Sequence, residues 1–285
     1  MAHRQTADRC QGQAPGRSRV TALLAVAFGL LIGLTMGALG GGGSILTVPV
    51  LVYALGETAQ SATTSSLVIV GITAAAAALG HARASRVRWR AGLAFGAAGV
   101  AASLVGTHLN TRVRPDVLLV AFAVLMLVAA AAMLVNTMVA SGSDDVEPGA
   151  SQPTAGTAKT RLRNALPVLV AGLVVGFLTG FLGVGGGFII VPALVLTLHY
   201  DMPTAVGTSL VITSLNSAVA LLARGGQDSF YWALIIPFTL AAITGSFAGR
   251  HVADRVSGPH LTRGFAVLLL VVAGYVLLQA ALAST

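Results

Sequence analysis

Charge is what this chain has least of. Only 9% of its residues are charged against 55% hydrophobic, with a mean hydropathy of +0.86, and such a chain cannot present a wettable surface as a soluble globule. It therefore reads as an integral membrane protein. Cysteine is nearly absent as well: the single Cys10 lies in a polar N-terminal tail, which excludes an intrachain disulfide and a multi-cysteine metal site. Carboxylates are missing where they would matter most. All nine acidic residues, Asp8, Glu57, Asp116, Asp144, Asp145, Glu147, Asp201, Asp228 and Asp254, fall in tails, loops or segment corners rather than in the middle of an apolar run. Carriers of cations and proton pumps usually keep an intramembrane carboxylate, because a buried charge is costly and is retained for function. Its absence turns the reading away from cations. There is no Gly-x-x-x-x-Gly-Lys-Ser/Thr loop, so the chain does not hydrolyse ATP. The net charge of +8 does not indicate nucleic acid, since the 17 basic residues border the apolar runs, as topology determinants do. No metal and no cofactor is expected.

Glycine and proline, in contrast, are placed conspicuously. The stretch from Met36 to Pro49 contains Gly40, Gly41, Gly42, Gly43 and Ser44 and ends in Pro49, inside an otherwise apolar run. It has an echo in Thr179 to Pro192, with Gly183, Gly185, Gly186 and Gly187 ahead of Pro192, at an offset of 143 residues. Both residue types interrupt helices, so two hydrophobic segments are built to break inside the membrane. The same offset aligns Ser66 with Ser209, Trp89 with Trp232, Gly106 with Gly249, His108 with His251, and Arg112-Val113 with Arg255-Val256. Chance similarity between apolar runs would not also align tryptophan, histidine and arginine, so the sequence reads as an internal duplication.

A helix crossing the roughly 30 Å hydrocarbon core needs about 20 apolar residues. Each half offers four such segments: about 21–39, 61–80, 91–108 and 117–138, then 164–182, 204–223, 233–250 and 261–280. The pieces Pro49 to Gly56 and Pro192 to His199 are too short to cross and read as re-entrant half-helices opened by their prolines. The expected fold is thus an all-α integral membrane protein of two homologous repeats, each of about four transmembrane helices plus a glycine/proline-broken half-helix. That makes about 8 spans, or 10 if the half-helices cross. Residues 1–20 form a disordered tail, 21–138 the first repeat, 139–163 a flexible Ser/Gly/Pro-rich linker and 164–285 the second repeat. An even span number makes the repeats parallel and an odd one inverts them. On the even reading 12 basic residues, among them the tail arginines and Arg83, Arg86, Arg88 and Arg90, gather inside and 5 outside, placing the N-terminus in the cytoplasm.

What the membrane interior offers chemically is main chain. Glycine runs let a ligand approach backbone N–H groups, and half-helix N-termini aim positive dipole ends at it, which suits a small anion. The candidate substrate-binding residues are Gly40, Gly42, Gly43, Ser44, Pro49, Ser65 and Ser66 in the first half. In the second they are Gly183, Gly185, Gly186, Gly187, Pro192, Thr208, Ser209 and Asn216. Ser65, Ser66, Thr208 and Ser209 are side-chain donors to an oxyanion or else helix-start caps; Asn216 is a site amide or interhelical glue. Gly29, Gly33 and Gly37, at small-xxx-small spacing, read as a packing surface. His108 and His251, beside arginines at segment ends, are the proton-coupling candidates, and Trp89 and Trp232 are interface anchors.

The duplicated glycine break with its proline, Val206-Gly207-Thr208-Ser209-Leu210, and the Gly-x-x-x-x-x-Arg runs at Gly106 to Arg112 and Gly249 to Arg255 together resemble the TauE/SafE sulfite exporter family. That family is also called the 4-toluene sulfonate uptake permease family. The resemblance covers about residues 21–138 and 164–280. It implies a multi-span permease for sulfite, sulfonates or related organosulfur anions in a bacterial-type plasma membrane, not an enzyme. The first half departs from the pattern, with Thr64 in place of Gly207 and Ser44 in place of Gly187, so the two half-sites are chemically unequal. The alternatives are a carrier of another small anion such as a carboxylate and a non-transporting accessory subunit. The expected partners are a small anion, the lipid bilayer and a second copy of the chain. A serine protease built on Ser209 and His251 lacks the second flanking glycine and has no use for the duplication.

Overall fold

The computed structural model describes residues 15–110, 115–141, 158–182, 187–223 and 231–283. Among the described residues every regular element is helical: α1 (Pro15–Leu39), a glycine turn (Gly40–Gly43), α2 (Ser44–Pro49), a wide π turn (Val50–Ala54), α3 (Ala59–Arg83), α4 (Trp89–Asn110), α5 (Pro115–Ser141), α6 (Ala158–Leu182), α7 (Gly187–Leu198), α8 (Met202–Ala223), α9 (Trp232–Arg255) and α10 (Gly258–Ala283). Among the described residues seven apolar helical stretches are long enough to cross a bilayer, one of them running from α1 through the break to Ala54. Leu23, Leu31, Val105, Val128, Leu173 and Val271 are among many large apolar side chains pointing outward, a belt that only lipid would cover. Trp89 and Trp232 open α4 and α9 and are about half exposed, as interface anchors are. The first helix starts at Pro15, inside the stretch expected to be tail, while residues 1–14 and 142–157 lie outside the described residues.

The closest helix packing is made by glycine. Gly29, Gly33 and Gly37 of α1 abut the main chain of Phe238, Ala242 and Ser246 of α9, so tightly that a methyl group on Gly33 would sit 2.0 Å from the Ala242 carbonyl oxygen. Partners rise together along the chain, so α1 and α9 run parallel. The same contacts recur 143 residues away with the roles exchanged: Gly172, Gly176 and Gly180 of α6 lie on Phe95, Gly99 and Ser103 of α4. The packing surface read from the small-xxx-small spacing is therefore where the sequence puts it.

Helix directions decide the connectivity. Gly71 of α3 faces Ser217 of α8 while Gly207 of α8 faces His81 of α3, so α3 and α8 are antiparallel. His81 Nε2 donates to the Gly37 carbonyl at 3.1 Å, which brings the C-terminal ends of α1 and α3 together and makes them parallel. Between them the chain must come back. It does so at the glycine turn, for Gly43 already lies against Ile32, Thr35 and Met36 of the helix it has just left. The return segment is thus a re-entrant arm, with α3 running parallel to α1 and antiparallel to α8. The ends of α3 and α9 gather Arg83, Arg86, Arg88, Arg90, Arg250 and Arg255 at one face, with Arg263 at the start of α10, and α1 begins at the opposite face.

The half-helices also start earlier than expected. Pro49 closes α2, which begins at Ser44, and Pro192 is the sixth residue of α7. A proline there removes one hydrogen bond to the preceding turn without stopping the helix, and after Pro49 the backbone widens into the π turn.

Candidate functional site

Of the four consecutive glycines, only Gly40 needs glycine for its conformation. Its φ of +78° ends α1 in the left-handed region, the usual glycine C-cap. The next three are small for space. A side chain on Gly41 would meet the Gly187 carbonyl oxygen at 2.5 Å, one on Gly42 the Phe265 ring at 2.7 Å, and one on Gly43 the Met36 side chain at 2.5 Å. Gly40 to Gly43 are all buried. The break in the first half therefore meets the start of α7, main chain on main chain, with both sides buried. Ser44 lies at the same seam, its hydroxyl donating to the Gly41 carbonyl at 2.6 Å and its oxygen 2.8 Å from where a Gly187 Cβ would stand. Gly183, Gly185 and Gly186 lie outside the described residues.

The hydroxyls expected to face an anion have partners within the chain. Gly41 N–H donates to Ser209 Oγ at 3.4 Å, and Ser209 in turn donates to the Val206 carbonyl at 2.8 Å. Ser66 donates to the Thr63 carbonyl at 2.7 Å. Thr208 Oγ1 accepts from Arg88 N–H at 3.2 Å. A serine hydroxyl has one proton to give, so Ser44, Ser66 and Ser209 can donate to an anion only after letting go of a carbonyl. Ser65 sits near a different group at the entrance of α3, the Glu57 carboxylate, to which Ser61 Oγ donates at 3.5 Å. Burial holds that carboxyl above its usual value of 4.5, and the two serines offset part of the rise.

Near the crossing of α3 and α8, Thr73, Thr213 and Asn216 carry oxygens that are buried and without a hydrogen-bond partner, as does Thr47 of α2. Asn216 was expected from the sequence, with Thr73 as its counterpart at the offset of 143. Thr47 and Thr213 are additional polar groups whose signal, a hydroxyl deep in an apolar run, is faint. Pro49 and Pro192 shape the arms; Pro192 is itself buried.

The histidines divide unexpectedly. His108 and His251 are both exposed near helix ends, and His251 Nδ1 bonds the Phe247 carbonyl at 3.0 Å, so the structure brings neither to the glycine seam. His81 is the buried one, at 1% exposure. Above it Arg86 pairs with Asp254, and Arg250 Nε stands 3.7 Å from the other oxygen of the same carboxylate. The sequence hint was a histidine at the end of a long alanine run, with Asp254 among basic residues.

The described residues present a buried seam of main chain between helices that cross a membrane, with hydroxyls in reach. Comparison with known proteins gives it a lineage. The family model described as "Sulfite exporter TauE/SafE" matches residues 25–276. A "Probable membrane transporter protein" of Xylella fastidiosa (strain Temecula1 / ATCC 700964) is 31% identical over 258 residues, covering 90% of this chain and 94% of its own. The "Probable membrane transporter protein YunE" of Bacillus subtilis (strain 168) is 24% identical over 260 residues, covering 88% and 93%. A relative of the same description from Methanocaldococcus jannaschii is 22% identical over 256 residues, covering 84% and 88%. No solved structure matches. With the family model spanning nearly all of its membrane helices, the chain belongs to the TauE/SafE family of membrane transporters.

Proposed function

We propose that this transporter moves small organosulfur oxyanions, such as sulfite or a sulfonate, by alternating access at the point where the glycine turn meets α7. The observation that carries the reading is the contact of Gly41 with Gly187, buried main chain against buried main chain. The Gly41 N–H there, together with the α7 N-terminus, supplies donors for an anion and not for a cation. The mid-span helices add no carboxylate to compete with it. The family's description supports a sulfur oxyanion.

The two halves act as inverted copies on this reading, and the exchanged glycine contacts at the offset of 143 support it. Because α1 is clamped to α9 and α4 to α6, the moving bodies are these cross-paired units rather than the sequence halves. In the described arrangement the donors are closed on themselves. An arriving anion takes Gly41 N–H from Ser209, and the hydroxyls of Ser44 and Ser209 turn from carbonyls to the ligand. We place the protein in the plasma membrane.

Reconstituted vesicles loaded with labelled sulfite, sulfate, a sulfonate or a carboxylate test this, with and without a pH gradient. Saturable flux of the sulfur anions is the expected result. No flux of any of the four in either direction refutes the carrier reading in favour of an accessory subunit, and flux of the carboxylate alone refutes the substrate class. Gly41→Leu, which cannot fit against Gly187, should abolish flux.

A further inference from the structure

We propose that His81, Arg86 and Arg250 form the first binding site for the transported oxyanion, at the arginine-rich face, and that Asp254 occupies it in the anion's place while the site is shut. This inference rests on the anion reading above. Two guanidiniums converge on one carboxylate: Arg86 Nη1 on Oδ1 and Arg250 Nε on Oδ2, the latter at 3.7 Å. The three groups carry a net charge of +1, and a carboxylate matches a small oxyanion in charge sign and in acceptor geometry.

Two atoms of the cluster have hydrogen-bonding capacity to spare. Arg250 Nε, held to Asp254 by charge at 3.7 Å, makes no hydrogen bond, and neither does His81 Nδ1, in a side chain 1% exposed. Since His81 Nε2 spends its proton on the Gly37 carbonyl, Nδ1 is the ring atom left to take up a proton and present it to an anion. The charged groups near the ring are Arg250, Arg86 and Asp254, from α9 and the loop between α3 and α4. α1 and α8 bring Gly37 and Gly207 against His81, neither of them titratable. Gly80 makes room for the guanidinium, its hydrogen lying where a Cβ would be 3.4 Å from Arg250 Nη1.

The cluster is wired to the seam. Gly37 is three residues ahead of the Gly40 break. The Arg86 carbonyl oxygen packs 2.4 Å from where a Gly207 Cβ would stand, and Arg88 N–H donates to Thr208 at 3.2 Å. The next residue, Ser209, holds Gly41 N–H. Displacing Asp254 frees the loop that leans on the helix holding the break. The device exists once, for the residues 143 positions from His81, Arg86, Arg250 and Asp254 are Arg224, Ser229, Thr107 and Thr111.

The test measures sulfite flux into vesicles against sulfite concentration for the full chain, with monodispersity checked in detergent. Asp254→Asn, which removes the internal competitor, should lower KM by about tenfold, the worth of a charge-assisted hydrogen bond. Arg86→Gln with Arg250→Gln should raise KM by at least about tenfold, whereas His81→Gln should remove the effect of an imposed pH gradient on rate. Asp254→Glu, which keeps the latch, should stay within about twofold of the unaltered protein. Saturable flux with KM unmoved by Asp254→Asn and by the double arginine change would overturn this proposal and leave the carrier reading standing. Should Asp254→Asn fail to fold, the arginine pair decides by the same KM criterion. No flux in the unaltered protein would instead sink the reading on which the proposal rests.

Discussion

Replacing Gly33 by alanine asks α1 and α9 to accept one methyl group where they have no room for it. The new carbon would lie 2.0 Å from the Ala242 carbonyl oxygen and 2.7 Å from the Ala242 Cα. A comfortable carbon–oxygen approach is about 3.3 Å, so the helices must part locally by roughly 1.3 Å. A gap of that size forfeits more than about half of each van der Waals well along the seam. Overpacking costs about 1–3 kcal/mol, and because main chain lines both sides the upper end applies, near 3 kcal/mol. Alanine returns about 1 kcal/mol of helix propensity, leaving a net loss near 2 kcal/mol. Gly264 of α10 is the control, since a Cβ there meets nothing within 4 Å, and its change to alanine should stabilise by up to about 1 kcal/mol. Read as melting temperature in detergent, Gly33→Ala should fall by roughly 4–8 °C while Gly264→Ala holds or rises. Gly176→Ala should match Gly33→Ala, its Cβ lying 2.1 Å from the Gly99 carbonyl oxygen. If Gly33→Ala melts with Gly264→Ala, the seam is not tight and the parallel pairing loses its support.

Gly40→Ala forces a left-handed φ of +78° on alanine and drives its Cβ to 2.5 Å from Ser209 Oγ, whereas Gly56→Ala meets open space at a φ of +73°. Thermal melts should put Gly56→Ala about 1 kcal/mol down from strain alone and Gly40→Ala lower still. Ser209→Ala removes the acceptor of Gly41 N–H and should cut vesicle flux at least severalfold with a melt lowered by about 1–2 kcal/mol. The Glu57 carboxyl is held above 4.5 by burial, so its contribution to stability is full below that value and is lost as pH rises through the raised one. Glu57→Gln should flatten the pH profile of the melt over that window and leave the molecule no less stable at neutral pH.

Much of this was legible in the chain because it is written in residues with few uses. A run of four glycines signals a helix break with close packing around it, and glycines four residues apart signal backbones brought together. What stayed hidden depends on direction. The length of the segment after Pro49 is the same whether it returns or continues, and the contacts of Gly43 with α1 and of His81 with Gly37 separate the two. Once the arm returns, the start of α1 and the end of α3 lie at opposite faces, which no loop count could foresee. Serine roles were hidden for another reason: Ser44, Ser65, Ser66 and Ser209 look alike in sequence, yet their one proton goes to a carbonyl or a carboxylate chosen by the neighbours. His81 was passed over because histidines beside arginines at matching positions drew attention to His108 and His251, while its own counterpart is Arg224.

The pairing of α1 with α9 also sets a timetable for making the protein. The residues that touch, Gly33 and Ala242 among them, are 209 positions apart in the chain. At about 5–20 residues per second the first helix waits in the bilayer for roughly 10–40 s before its partner is synthesised. Its glycine face is uncovered throughout, whereas α4 waits for α6 across a separation of 77 positions, less than half as long. A newborn chain is therefore exposed to mispairing, above all of α1 with the equivalent stripe on α6, and insertion machinery that shelters early helices would be needed most by the first.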